Sequence, residues 1–231
     1  MTMAVEVPTW TLAAGWRPCR CELGHRTRFV AVTGGPGAGK SRMLDELRRS
    51  LCEHVVVLPE AASIVFGGGF PRIATESAAR AAQRAIYRVQ AELERLASED
   101  GRVAVALCDR GRLDGLAYWP GSPDDYFHEL GTTRAAELSR YAAVVHLRPA
   151  PPEGYDKSNP LRVESAPQAI LVDARIEQAW SDHPARAFVA AADSFDAKLE
   201  QAIARIRDVL PRCCREHVGA DVLAGDLTCE P

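Results

Sequence analysis

The sequence predicts an α/β fold, a parallel five-stranded sheet with helices on both faces. Three observations carry this. From Arg28 onward, short β-branched apolar runs alternate with segments of helical period, and strands that alternate with helices pair in parallel. The first run leads directly into a glycine-rich stretch, residues 34–41, and then into an amphipathic helix. The length of 231 residues and a hydrophobic content of 47% suit one domain with a full core.

Residues 28–33 (Arg-Phe-Val-Ala-Val-Thr) read as a buried parallel strand. In 42–51, Met43, Leu44, Leu47 and Leu51 share one helical face. Residues 55–58 are Val and Leu throughout, a second strand that closes on Pro59 and Glu60. A short apolar segment then ends in three glycines, 67–69. Residues 77–98 form a long helix, with Ile86, Val89, Leu93 and Leu96 expected on its inner face. The third strand is 102–108, ending at Asp109 and Arg110, and the fourth is 141–147. A helix over 166–180 and a fifth strand over 187–191 follow. Ser194 caps a last helix, 195–210, which Pro211 stops. The domain therefore spans 28–211, between an N-terminal extension (1–27) and a C-terminal tail (212–231).

The glycine-rich stretch is Gly34-Gly-Pro-Gly-Ala-Gly-Lys-Ser41, the G-x-x-x-x-G-K-[ST] phosphate-binding loop in its strand–turn–helix setting. Glycines let successive backbone N–H groups curl around a phosphate, and the following helix adds the positive end of its dipole. Gly34, Gly35, Pro36, Gly37, Ala38, Gly39, Lys40, Ser41 and Arg42 are the expected cradle for ATP or GTP. Lys40 is expected to face solvent and reach the terminal phosphates. Ser41 and Asp109 are the expected Mg2+ ligands, Asp109 being an acid at the end of an apolar strand.

In parallel sheets ligands bind beyond the carboxyl ends of the strands, which singles out Glu60, Asp109 and Arg110 as catalytic candidates beside Lys40. Glu60 and Asp109 have the competing reading of helix caps, and Arg110 that of a surface ion pair. Asp114 lies in the same loop and is equally consistent with either kind of role. The proline-rich segment 148–163 reads as a lid, with Arg162 as the arginine brought over the phosphates and Arg175 as second choice.

A formal net charge of −3 and a pI near 6.1 argue against nucleic acid as a partner, and the arginines are spread among acids. No apolar run is long enough to span a membrane and no signal-peptide layout is visible, so a cytoplasmic protein is expected. Seven cysteines, an odd number, read as reduced thiols. Cys19, Cys21 and His25 near one end, with Cys213, Cys214 and His217 near the other, raise a shared structural zinc. Their spacing matches no common zinc template, so plain cysteines stand beside that reading.

Together these residues resemble the P-loop proteins of the nicotinamide-riboside-kinase-like AAA group, and most of all the TRPL translocation defect protein family, named from an insect photoreceptor protein. The resemblance rests on Thr33 to Ser41, on Pro59-Glu-Ala-Ala62, and on Cys108-Asp-Arg-Gly111 with Asp114. It continues through Asn159, Arg162 and Glu164, then Asp173, Ala179-Trp180, His183-Pro184, and Phe195 with Lys198. It implies a nucleotide-binding fold similar to nucleoside and nucleotide kinases. It also implies GTP binding and an anionic-lipid partner, phosphatidic acid, as in the family's animal members. Those members often carry a further triphosphate-tunnel-like domain, which a chain of this length is not expected to hold. Where the family tends to have Ile-Asp-Asn, this chain reads Val189-Ala-Ala-Ala-Asp193, and it has no Asn-Lys-x-Asp guanine reader, so ATP and GTP both stay open.

Two main function classes follow, with a nucleic-acid-end kinase as a third that the balanced charge disfavours. One is a kinase moving a γ-phosphate to a small nucleoside-like or other hydroxyl acceptor; the other is a triphosphate-dependent binding switch. An open pocket between Glu60 and Asp109, lined by the 77–98 helix, is what the kinase requires. A closed, dry pocket fits the switch.

Overall fold

The computed structural model describes residues 21, 24–149, 165–190 and 194–215. Five parallel strands, β1 (Arg28–Thr33), β2 (Val55–Leu58), β3 (Val105–Asp109), β4 (Tyr141–Leu147) and β5 (Arg186–Val189), form one sheet in the order β2-β3-β1-β4-β5. β1 occupies the centre, so the loop that follows it opens in the middle of the sheet edge where ligands gather.

Alternate side chains of each strand serve two separate cores. Val30, Val32, Val105, Leu107, Val145 and Leu147 pack with Met43, Leu47 and Leu51 of α1 (Lys40–Ser50) and the following turn, and with Ala202 and Ile206 of α7 (Phe195–Arg207). Ala31, Val56, Leu58, Ala106 and Cys108 face the other way, against α3 (Glu76–Glu99), α4 (Pro123–Leu130) and α6 (Ala166–Ala179). The period of two along the strands thus fills both layers, and helices cover both faces as the sequence predicts.

Some boundaries shift. β3 starts at Val105, where the N–H groups of Ala104 and Val105 both donate to the His54 carbonyl ahead of β2, and α7 ends at Arg207, where turns at Val209 and Leu210 tighten the chain. Short elements without bounds from the sequence are α2 (Ala61–Gly67), a 3-10 helix (Arg112–Tyr118), α4, α5 (Arg134–Arg140) and α8 (Arg212–Arg215). Cys213 and Cys214 of α8 are buried in the core, beyond the expected stop at Pro211.

The larger correction concerns α3. Its buried residues are Ala82, Tyr87, Gln90, Glu94 and Ala97, whereas Leu96, expected inside, is 43% exposed. The inward side is polar because it meets polar partners. Arg112 of the 3-10 helix pairs with Glu94 at 2.6 Å, the Tyr141 hydroxyl donates to Glu94 at 2.6 Å, and Gln90 donates to Glu94 at 3.1 Å. A buried carboxylate is tolerated only with such partners, so the network sets the rotation of the helix against its apolar stripe.

Candidate functional site

Gly34 turns the chain out of β1 with φ 129°, and a side chain there would collide with the Leu147 carbonyl of β4. Gly37 and Gly39 also have positive φ, so only glycines close this loop without strain. The Gly35 N–H donates to Asp173 Oδ1 at 2.6 Å, and Lys198 Nζ donates to the Ala38 and Arg148 carbonyls at 2.8 and 2.7 Å. His146 Nε2 shares Asp173 Oδ1 at 2.8 Å. α6 and α7 therefore clamp the loop from both sides. Asp173, Trp180 and Lys198 were legible as motif residues but carried no role; the structure supplies one for each.

Lys40 opens α1 but does not face solvent as expected. It is 7% exposed, and its ammonium donates to the Gly34 and Gly35 carbonyls at 2.9 Å each. The curled loop folds over the side chain, and burial, with Arg110 nearby, holds its pKa down to about 8.

Asp109, at the end of β3, is 7% exposed. Its Oδ2 accepts from the Ser41 hydroxyl at 3.5 Å, while its buried Oδ1 accepts no hydrogen bond among the described residues. Burial, then the Glu60 carboxylate, pushes its pKa up to about 6. An unsatisfied buried carboxylate oxygen beside a hydroxyl is a hard-oxygen donor pair, and it fits Mg2+.

Arg110 takes φ 77°, the left-handed region that costs a non-glycine residue about 1–3 kcal/mol. That turn aims its guanidinium back over the loop. Nε donates to Glu60 Oε1 at 2.7 Å, and Nη1 donates to the Gly34 carbonyl and to Asp114 Oδ2 at 3.2 and 3.3 Å. Burial alone would raise the Glu60 pKa. The Arg110 guanidinium and the Ser63 hydroxyl, which donates to Oε2, overcome it and hold it at about 2. Glu60 stands at the start of α2 without capping it. Asp114 is a positioning group, fixed by hydrogen bonds from Thr33 and from Trp180 Nε1.

A cavity of about 510 Å³ runs from the loop past Glu60, Asp109 and Arg110 into a chamber between α2, α3 and the 3-10 helix. Phe66, Gln83, Ile86, Tyr87 and Tyr118 wall the chamber, and Arg42 borders the loop end with its guanidinium stacked on Phe195. The structure thus brings Gly37, Gly39, Lys40, Ser41, Arg42, Glu60, Asp109 and Arg110 to one cavity. Arg175 is exposed on α6 and is not among the residues that line it. Arg162, like nearly all of the expected lid, lies outside the described residues.

Loop, helix terminus and central parallel sheet define a P-loop, kinase-like nucleotide-binding fold. A family model described as AAA domain matches residues 29–198, and the chain belongs to that family. A search of curated proteins finds no significant match. Among solved structures, it is similar to thymidylate kinase from Candida albicans at 13% identity and TM-score 0.54, with 79% of this chain and 92% of that one covered. It is also similar to the NadR protein, solved in complex with NR, at 14% identity and TM-score 0.58. There 87% of this chain aligns, and the chain spans about half of NadR, 55%. The comparisons lend no support to a lipid partner. Among the described residues no helix is long and apolar enough to cross a membrane.

Proposed function

We propose that the protein is a Mg2+-dependent phosphotransferase that moves the γ-phosphate of ATP or GTP to a hydroxyl of a small nucleoside-like acceptor. The observation that carries this reading is the open chamber beyond Glu60 and Arg110, floored by α3. A switch needs no such space, and the cavity falls within the usual range for small-molecule sites, about 300–1,000 Å³. The two kinase-fold neighbours, one of them solved with NR, agree with an acceptor of this kind. The narrower kinship to the TRPL translocation defect family is part of the same reading and rests on the later motifs, of which Asn159, Arg162 and Glu164 lie outside the described residues.

The division of labour follows from position. Loop N–H groups and Lys40 hold the β- and γ-phosphates, and Arg110 lies beside the path of transfer. Ser41 and Asp109 would hold Mg2+, which when bound would supply charge neutralisation at the phosphates. Glu60, kept ionised at neutral pH by Arg110 and Ser63, orients the acceptor hydroxyl and receives its proton as the oxygen bonds to phosphorus. The bond from γ-phosphorus to the bridging oxygen breaks, and the nucleoside diphosphate leaves. A carboxylate this weakly basic serves because proton loss is late in a loose phosphoryl transition state. Gln83 and Tyr87 offer the acceptor an amide and an aromatic wall.

The test is diphosphate release from ATP and from GTP with Mg2+, alone and with a panel of nucleosides and nucleoside monophosphates. One acceptor class should raise release well above background. Tight triphosphate binding with the same slow release throughout the panel would overturn the kinase reading in favour of the switch.

A further inference from the structure

At the opposite end of the sheet from the phosphate loop, a second group of chemistry-bearing side chains converges. Cys21 and His25 precede β1, His54 immediately precedes β2, and Cys213 lies in α8. One ligand atom from each, two thiol sulfurs and two imidazole nitrogens, all lie within 4.8 Å of one another. His25 Nε2 is 3.6 Å from Cys21 Sγ and 4.0 Å from Cys213 Sγ, and the two imidazole rings stand 4.8 Å apart at 62°. Cys21, His54 and Cys213 are buried, at 7%, 1% and 9% exposure, and His25 is partly so.

We propose that this is a structural zinc site, with Cys21, His25, His54 and Cys213 as its four ligands. Tetrahedral zinc, with bonds of about 2.0–2.3 Å, separates neighbouring ligand atoms by roughly 3.3–3.8 Å. The observed spacings reach that geometry by small side-chain movements. Two thiolates and two imidazoles with no carboxylate suit zinc and disfavour Mg2+ or Ca2+. Four protein ligands leave no open position for a substrate, so the site holds structure and does no chemistry.

The backbone around the ligands is fixed in advance. His25 N–H donates to the Gly101 carbonyl at 2.9 Å, and the His54 carbonyl accepts from Ala104 and Val105 at 2.8 and 3.1 Å. Cys214 Sγ sits 3.7 Å from both His54 Nδ1 and Cys213 Sγ, and with Cys52 it forms a second, three-membered group that shares His54. That group lacks a fourth ligand among the described residues, so the four-membered set takes the ion. The zinc that the sequence raised only as an alternative to plain cysteines is thus proposed with a different ligand set. His54 enters, Cys214 moves to the wall, and Cys19 and His217 lie outside the described residues. The ion would fasten the segment before β1 and the last helix to the start of β2.

The test uses the whole chain, purified reduced and without chelator, with metal content measured per chain. One equivalent of zinc is expected. After exchange, Co2+ should give the visible bands of a tetrahedral site and a near-ultraviolet thiolate-to-cobalt band. Cys21→Ser and Cys213→Ser should each remove about half of the thiolate band, while Cys52→Ser and Cys214→Ser leave it unchanged. A wild-type chain that holds no zinc and shows no tetrahedral cobalt spectrum overturns the proposal without recourse to any variant. Loss of the thiolate band in Cys214→Ser but not in Cys213→Ser would overturn the ligand assignment.

Discussion

Asp109→Asn separates a metal-binding acid from a helix cap, because the two roles predict opposite changes in stability. The carboxyl is 7% exposed, with one oxygen lacking a hydrogen bond among the described residues, and its pKa rises from the ordinary 3.8 to about 6. The folded chain binds this proton more tightly than the unfolded one. The penalty is therefore absent below about pH 4, grows between the two values and is complete above about pH 6. Each unit is worth about 1.4 kcal/mol, so ionised Asp109 costs the nucleotide-free fold about 3 kcal/mol. Asparagine mimics the protonated acid. The variant should be more stable than wild type by about 2–3 kcal/mol near pH 8, and by about half that near pH 5, in urea unfolding without nucleotide. Calorimetry should show that the same variant loses the Mg2+-dependent part of its triphosphate affinity. A variant less stable than wild type by the same amount at both pH values would refute the reasoning and make Asp109 a structural cap.

Lys40→Ala should weaken ATP and GTP binding roughly 100-fold, the loss of a charge-assisted phosphate contact. Because the buried ammonium also donates to the Gly34 and Gly35 carbonyls, the variant should lose about 1–2 kcal/mol of stability without unfolding. Binding as tight as wild type would count against the phosphate-loop assignment. Asp173→Asn tests the clamp on the loop. The pKa of Asp173 is lowered: burial would raise it, but hydrogen bonding to His146 and to the Gly35 N–H more than offsets that. Its contribution is therefore full above about pH 4 and lost as pH falls through the folded value. The variant should be less stable by about 2 kcal/mol near neutral pH, with a gap that closes in acid, and should show a raised KM for triphosphate. A gap independent of pH would remove the charge from the explanation.

The central strands and the phosphate loop were legible because their signals are local. β1, β2 and β4 match the ranges read from apolar runs alone, and Lys40 and Ser41 follow from one motif. What was illegible depends on distant partners. The rotation of α3 is set by Arg112 and Tyr141, neither of which its own apolar periodicity contains. Burial of Lys40 comes from the loop closing over it, which a motif does not encode. Asp173 and Lys198 reach the loop from helices far along the chain, and His54, a lone histidine before a strand, shows its companions only in three dimensions.

One ammonium ties two ends of the site together. Lys198 grips the carbonyl of Ala38 in the phosphate loop and that of Arg148 just past β4. Losing either carbonyl would leave this partly buried donor half-satisfied, so the position of the Ala38 carbonyl and that of the Arg148 carbonyl are tied through one side chain. The loop and the residue just past β4 are thus held by a single ammonium, without a backbone hydrogen bond having to join them.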